Sequence, residues 1–61
     1  MKILTASAGN KSVSFNCNAI SRVEETLAYD DKCIVYMHNE IQGVMVDMPY
    51  LEVVGFLKAI E

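Results

Sequence analysis

Alternating apolar and polar residues predict β-strands in the first third of the chain. In residues 12–17, Val13, Phe15 and Cys17 share one face, and the serines and asparagine between them share the other. A period of two is typical of a strand with one buried face. Residues 2–7 contain β-branched side chains that suit another strand, and the glycine and asparagine between the two runs favour a turn. The pattern therefore predicts a hairpin.

The middle of the chain predicts a second hairpin, preceded by one ambiguous run. Residues 20–27 fit either a helical turn or a strand, and we favour a short turn followed by a strand from about Arg22. Residues 32–37 and 41–47 carry apolar side chains on both faces, and a short polar turn separates them. Because both runs are strand-like and the connection is short, we expect them to pair as an antiparallel hairpin.

A helix is predicted at the end of the chain. Pro49 suits a first helical turn, where its missing N–H costs nothing, and Asp47 is the better of two candidate capping side chains, ahead of Met48. The apolar positions at helical spacing are Tyr50, Val53, Val54, Phe56, Leu57 and Ile60. Gly55 costs about 1 kcal/mol in a helix interior relative to alanine. It is either simply tolerated or allows close approach of another backbone.

These elements predict an α+β fold: a small curved antiparallel sheet of about five strands with one C-terminal α-helix. The 61 residues allow one small domain, residues 1–61. One helix covers only one face of a sheet, so apolar side chains on the other face need another cover. A core this small also contributes little stability by itself, no more than about 3–5 kcal/mol. We therefore expect a homo-oligomer, most simply a two-fold dimer, with a surface kept for a different protein as the alternative. The residues predicted to contact another copy are Ile34, Tyr36, Met45, Gly55 and Phe56.

The charges argue against nucleic-acid binding and indicate a different kind of partner. Five lysines and arginines face eight aspartates and glutamates, for a formal net charge of −3. Nucleic-acid affinity comes largely from basic side chains on phosphates, and this chain has no basic cluster. The first 22 residues carry no acid, whereas all eight acids follow. The residues predicted to bind a basic protein surface, or the basic segment of a neighbouring copy, are Glu24, Glu25, Asp30 and Asp31.

Residues with catalytic or metal-binding chemistry are few. Two cysteines and His38 do not provide the four ligands of a zinc site, and no glycine-rich phosphate loop is present. We expect no enzymatic activity, no metal and no cofactor. Cys17 and Cys33 are interpreted as small buried apolar residues in a reducing cytoplasm, with a disulfide or a reactive thiol as the alternatives. No signal peptide or membrane span is predicted, so a cytoplasmic location is expected.

Several positions along the chain also match the pattern of a known family. They are Leu4 and Thr5 in a first strand, Gly9 in a turn, Val13, Phe15 and Asn16 in a second strand, Ile20, Val23, Glu24, Glu25 and Thr26 in the next run, and Glu52, Val53 and Val54 in the helix. In these positions the chain resembles the small FlbD-like (swarming motility) proteins. The family's proline-aspartate-threonine step is replaced here by residues 27–32. The resemblance implies a cytoplasmic accessory protein in flagellar motility, acting through protein contacts and without catalytic residues.

Three functions are compatible with these features. The first is a non-enzymatic accessory protein that acts through protein–protein contacts and self-association, in motility if the resemblance holds. The second is a phage-type or regulatory inhibitor whose acidic surface blocks a host protein. The third is a small RNA-binding dimer, for which Phe15 and Tyr36 would supply strand aromatics but dense flanking basic residues are missing.

Overall fold

The computed structural model describes residues 2–59, and within them the chain forms five antiparallel strands and one C-terminal helix. The elements are β1 (Ile3–Ala8), β2 (Lys11–Asn16), a 3₁₀ turn (Cys17–Ala19), β3 (Ile20–Glu25), β4 (Cys33–Met37), β5 (Val44–Val46) and α1 (Tyr50–Ala59). The predicted α+β class is confirmed, as are the two hairpins. Ile60, predicted to belong to the helix, lies outside the described residues.

The five strands form two sheets instead of the single curved sheet predicted. One sheet pairs β1 with β2, and the other has the order β3-β4-β5. The break follows from local chemistry at the 3₁₀ turn, where the Asn16 side chain accepts a hydrogen bond of 3.0 Å from the N–H of Asn18. That bond turns the chain out of the first sheet before β3 begins. The backbone N–H of Asp47 donates to the carbonyl of Ser7 at 2.7 Å, which joins the two sheets at one end.

The hydrophobic core combines the inward faces of both sheets with one side of the helix. Its buried residues are Leu4, Ala6 and Phe15 from the first sheet, Cys33, Val35 and Val46 from the second, and Val53 from α1. The opposite face of the first sheet is mainly polar: the hydroxyls of Thr5 and Ser14 lie 3.1 Å apart across the strands, and Ile3 is the exception at 46% exposed. The second sheet places a larger apolar cluster on its outward side.

The strands of the second sheet have different ends from those predicted. β3 starts at Ile20, earlier than the predicted start near Arg22, because the predicted short turn is formed by the preceding 3₁₀ residues. The pairing of β3 with β4 is irregular between Ile20 and Arg22. β5 is only three residues long, since Ile41 and Gln42 form a bend instead of extending the strand. The connection between β4 and β5 is consequently residues 38–43, longer than the short polar turn expected.

The helix begins at Tyr50, and its start differs from the predicted cap. The carbonyl of Pro49 accepts hydrogen bonds from the N–H groups of Glu52 and Val53, at 3.1 and 3.2 Å. Pro49 therefore stands just before the helix, and its fixed φ leads the chain into the first turn. The predicted Asp47 cap is wrong, because that carboxylate forms an ion pair with Lys32 instead.

Candidate functional site

The outward side of the second sheet gathers three of the predicted contact residues. Ile34 pairs with Met45 across β4 and β5, and Tyr36 lies two residues further along β4. Opposed residues in an antiparallel pair point to the same side, and neighbours along a strand point to opposite sides. Since Val35 and Cys33 enter the core, Ile34, Tyr36 and Met45 point away from it. The cross-strand partners of Tyr36 and Ile34 on β3 are Arg22 and Glu24. These five residues are called the outer sheet face.

Gly43 lets the backbone before β5 approach this face closely. A Cβ built on Gly43 would overlap Cγ2 of Ile34 and lie 2.9 Å from Cε1 of Tyr36. Any other residue there would have to displace both side chains. The glycine backbone partly covers Ile34 and Tyr36, which are half-buried, while Met45 is 40% exposed. The subunit thus shields more of this apolar surface than the alternation along the strands predicts.

Arg22 extends over the aromatic centre of the outer sheet face. Its guanidinium carbon lies 4.2 Å from the centroid of the Tyr36 ring, within the range of a cation–π contact. Its Nε lies 3.2 Å from Oε2 of Glu24, and both side chains are largely exposed. An exposed ion pair adds about 0–1 kcal/mol, so its main effect is to hold the guanidinium over the ring.

A second ion pair lies at the other end of this face. The Lys32 ammonium forms an ion pair with the Asp47 carboxylate and lies 5.5 Å from the centroid of the Tyr29 ring. The hydrogen bond to Asp47 is the largest cause that raises the pKa of Lys32 above its ordinary value; desolvation opposes it, and the negative charges of Asp47 and Asp31 add to it. The apolar centre of the outer sheet face is therefore bordered at both ends by charged pairs. An apolar, aromatic centre with a polar rim is the usual composition of a protein interface.

The other two predicted contact residues lie elsewhere. Phe56 packs against the core and is half-buried within the subunit. Gly55 is exposed, and a Cβ built on it meets no atom within 4 Å, so no backbone of the same subunit approaches it. Both belong to α1, whose Val53 enters the core on the side of the sheet opposite to Ile34 and Tyr36.

The four acidic residues predicted to bind a partner are all exposed but do not form one patch. Glu24 belongs to the outer sheet face, and its neighbour Glu25 points to the opposite side of β3. Asp30 and Asp31 lie in the connection between β3 and β4, residues 26–32, called the acidic loop. These four acidic residues therefore separate into three locations: Glu24 on the outer sheet face, Glu25 on the opposite side of β3, and Asp30 with Asp31 in the acidic loop.

The acidic loop also exposes apolar side chains. Leu27 is fully exposed and Tyr29 is half exposed. The loop is started by a turn in which Oγ1 of Thr26 accepts a hydrogen bond of 3.3 Å from the N–H of Ala28. Leucine, tyrosine and two aspartates are thus presented together on one short segment.

An open cleft of about 520 Å³ lies between α1, the start of β3 and the 3₁₀ turn. Three cations line it, namely Lys2, Arg22 and Lys58, and no carboxylate among residues 2–59 belongs to its lining. The N–H of Cys17 donates to the carbonyl of Lys2 at 3.0 Å, which fixes that lysine beside the turn. This basic cleft was missed by the sequence analysis. The one available signal was the excess of positive charge in the first 22 residues.

The potential metal ligands and the two cysteines were located among residues 2–59. Within that range no three residues among histidine, cysteine, aspartate and glutamate are grouped to hold a metal ion, and no helix is long and apolar enough to cross a membrane. Both cysteines are free thiols. Cys33 is completely buried, and burial raises the pKa of its thiol. Cys17 is only half-buried, so the prediction that both cysteines are core residues holds for Cys33 alone.

The chain has no significant match among protein-family models, curated proteins or solved structures. The resemblance to FlbD-like proteins stays a prediction. What the protein can do must therefore be inferred from its three surfaces: the outer sheet face, the acidic loop and the basic cleft.

Proposed function

We propose that this protein is a non-enzymatic accessory protein that acts through protein–protein contacts, beginning with self-association through the outer sheet face. The observation that carries the proposal is the cluster of Tyr36, Ile34 and Met45, with Arg22 stacked on the tyrosine ring at 4.2 Å. Tyrosine and arginine are the residue types that most often dominate binding energy at protein interfaces. Holding them in place before binding reduces the side-chain entropy lost on association.

The charges on the outer sheet face favour a second copy as the partner. Arg22 and Glu24 have opposite charges and lie on the same side of β3, two residues apart. A two-fold axis passing between them sets the arginine of each copy opposite the glutamate of the other. Such a surface is complementary to itself, which is the requirement of a two-fold interface. A dimer formed this way buries Met45 and the remaining exposed parts of Ile34 and Tyr36.

The setting of this activity follows from the sequence resemblance. We place the protein in the cytoplasm, as an accessory factor in motility of the FlbD-like kind. Its two free thiols are compatible with a reducing compartment. Genes for flagellar components beside its own would support this setting, and phage genes there would favour an inhibitor instead.

A second candidate function rests on the acidic loop. Asp30 and Asp31 are exposed beside the fully exposed Leu27, so the loop offers both charge and apolar area to a basic protein surface. Binding through this loop should weaken as salt increases, because exposed charges are screened beyond about 8 Å at physiological ionic strength. Binding through the outer sheet face should persist.

Sedimentation at high ionic strength tests the proposed self-association. We expect the wild-type protein to sediment as a dimer and Met45→Arg to sediment at the 6.8 kDa of a single chain. The matched control is Ile41→Arg, which introduces the same charge at a residue that is 97% exposed and off the outer sheet face. Circular dichroism confirms that each variant is folded. A wild-type protein that stays at 6.8 kDa at micromolar concentration would contradict the proposal.

A further inference from the structure

The basic cleft is an unusual feature on a chain with a formal net charge of −3. Three of the five basic residues line it, and none of the acidic residues that the structure describes does. The guanidinium of Arg22 is already held by Glu24 and the Tyr36 ring. Lys2 and Lys58 are exposed, and neither forms an ion pair within residues 2–59. The positive charge available to a ligand is therefore that of two lysines.

The walls of the basic cleft are apolar. Val54 and Leu57 come from α1 and Ile20 from the start of β3, and all three are half-buried. Covering a half-buried apolar wall with another apolar side chain is favourable by about 25 cal/mol for each Å² of apolar surface removed from water. The matching ligand therefore carries carboxylates next to an apolar group.

The acidic loop of this same protein has that composition. Asp30 and Asp31 supply two carboxylates, and Leu27 is fully exposed three residues before them. The loop begins after the last residue of β3, whereas the cleft is lined by Ile20–Val23, the first four residues of that strand. No loop residue lines the cleft of its own subunit. The two complementary features are therefore available to different copies.

We propose that the acidic loop of one copy docks into the basic cleft of another, with Asp30 and Asp31 facing Lys2 and Lys58 and with Leu27 covering the apolar wall. This contact goes beyond the proposed dimer, because none of the side chains that it pairs belongs to the outer sheet face. It joins two different patches, so each pair keeps one free loop and one free cleft. Such head-to-tail contacts extend into chains unless a ring closes.

Cys17 provides a direct readout of cleft occupancy. It lines the cleft and is half-buried, whereas Cys33 is completely buried. A maleimide should therefore modify Cys17 first in the folded protein. At low ionic strength, a docked loop should slow this modification as protein concentration rises. Raising the salt should remove the protection, because the contact depends on exposed charges.

Charge reversal separates the loop from the cleft. Asp31→Lys disables the loop and Lys58→Glu disables the cleft, so in each variant alone the concentration dependence should be lost. When the two variants are mixed, the intact loop of Lys58→Glu should protect Cys17 in the intact cleft of Asp31→Lys. Mass spectrometry distinguishes the two chains. The controls are Glu40→Lys and Lys11→Glu, which make the same charge changes outside the loop and outside the cleft lining and should leave protection unchanged.

Two results would overturn the proposal. One is a rate of Cys17 modification that does not depend on wild-type concentration at low salt, and the other is a mixture of Asp31→Lys and Lys58→Glu without protection. These results are distinguishable from failure of the outer sheet face. Met45→Arg should abolish the dimer at high salt and retain the protection at low salt, because it changes neither the loop nor the cleft.

Discussion

Two glycines in this protein should respond in opposite directions to the same substitution. A Cβ at Gly43 overlaps Cγ2 of Ile34 and approaches Tyr36, whereas a Cβ at Gly55 meets nothing within 4 Å. Neither glycine has a positive φ, so the backbone accepts alanine at both positions. The difference between Gly43→Ala and Gly55→Ala therefore isolates the effect of side-chain crowding.

The magnitudes follow from the space around each glycine. Replacing glycine by alanine stabilises a protein by about 0.4–1 kcal/mol when the backbone conformation permits, because the unfolded chain loses freedom. Gly55 is exposed in α1, so this gain should be fully realised. At Gly43 the methyl must displace Ile34, whose Cγ2 is attached directly to Cβ and cannot swing away alone. Overpacking of this kind costs about 1–3 kcal/mol, which leaves Gly43→Ala less stable than wild type.

Thermal unfolding followed by circular dichroism measures both effects. For a domain of this size, 1 kcal/mol corresponds to about 4–8 °C in Tm. All proteins should be compared at one concentration, because self-association adds to apparent stability. We expect a higher Tm for Gly55→Ala and a lower Tm for Gly43→Ala than for wild type. Gly43→Ala should also weaken the dimer, since it tilts Ile34 and Tyr36 on the outer sheet face.

A double-mutant cycle tests the proposed cause. Ile34→Ala removes the Cγ2 atom that Gly43→Ala would overlap. In the Ile34→Ala background, the Gly43→Ala substitution should therefore cost much less, giving a clear coupling between the two positions. A Gly43→Ala protein with the Tm of wild type would refute the reasoning, and so would an equal cost in both backgrounds.

Two further predictions concern the turn glycine and the response to pH. Gly9 has a φ of 71°, so Gly9→Ala should lower the free energy of unfolding by about 1–2 kcal/mol and Gly9→Asn by less, measured by urea denaturation. Alkaline pH should destabilise the fold, because burial raises the pKa of Cys33 and the hydrogen bond to Asp47 raises the pKa of Lys32. In the unfolded chain both groups lose their protons at lower pH than in the folded protein. The stabilisation that comes from the two protonated groups is therefore complete below the ordinary pKa values, about 8.5 for cysteine and about 10.4 for lysine, and is lost as the pH rises above them. A Cys33→Ala protein should lack the part of this alkaline loss of stability that begins at the lower pH. A free energy of unfolding that does not change with pH up to about 10 would contradict the role assigned to Cys33.

The residues proposed for contacts between copies on the second sheet were partly predictable from the sequence. Alternation along residues 32–37 and 41–47 put Ile34, Tyr36 and Met45 outside the main core, and the observed pairing of Ile34 with Met45 confirms the predicted hairpin. The position of Arg22 over Tyr36 was not predictable. It depends on the register between β3 and β4, which the irregularity near Ile20 sets.

The sequence by itself determined the local elements of this protein. Period-two alternation around Phe15 predicted a strand, the glycine at position 9 marked its turn, and helical spacing after Pro49 predicted the helix. These signals are local because the backbone conformation of neighbouring residues sets the direction in which successive side chains point in a strand or a helix.

The tertiary structure alone decided how those elements meet. It divided the strands into two sheets, brought Gly43 against Ile34, and placed Lys2 and Lys58, from the two ends of the described chain, in the lining of one cleft. Each of these arrangements involves residues that no periodicity relates, and each depends on which faces the core can bury together. The physical reason is that the periodicity of apolar residues specifies which face of a strand or helix is apolar, but not which other element will pack against that face.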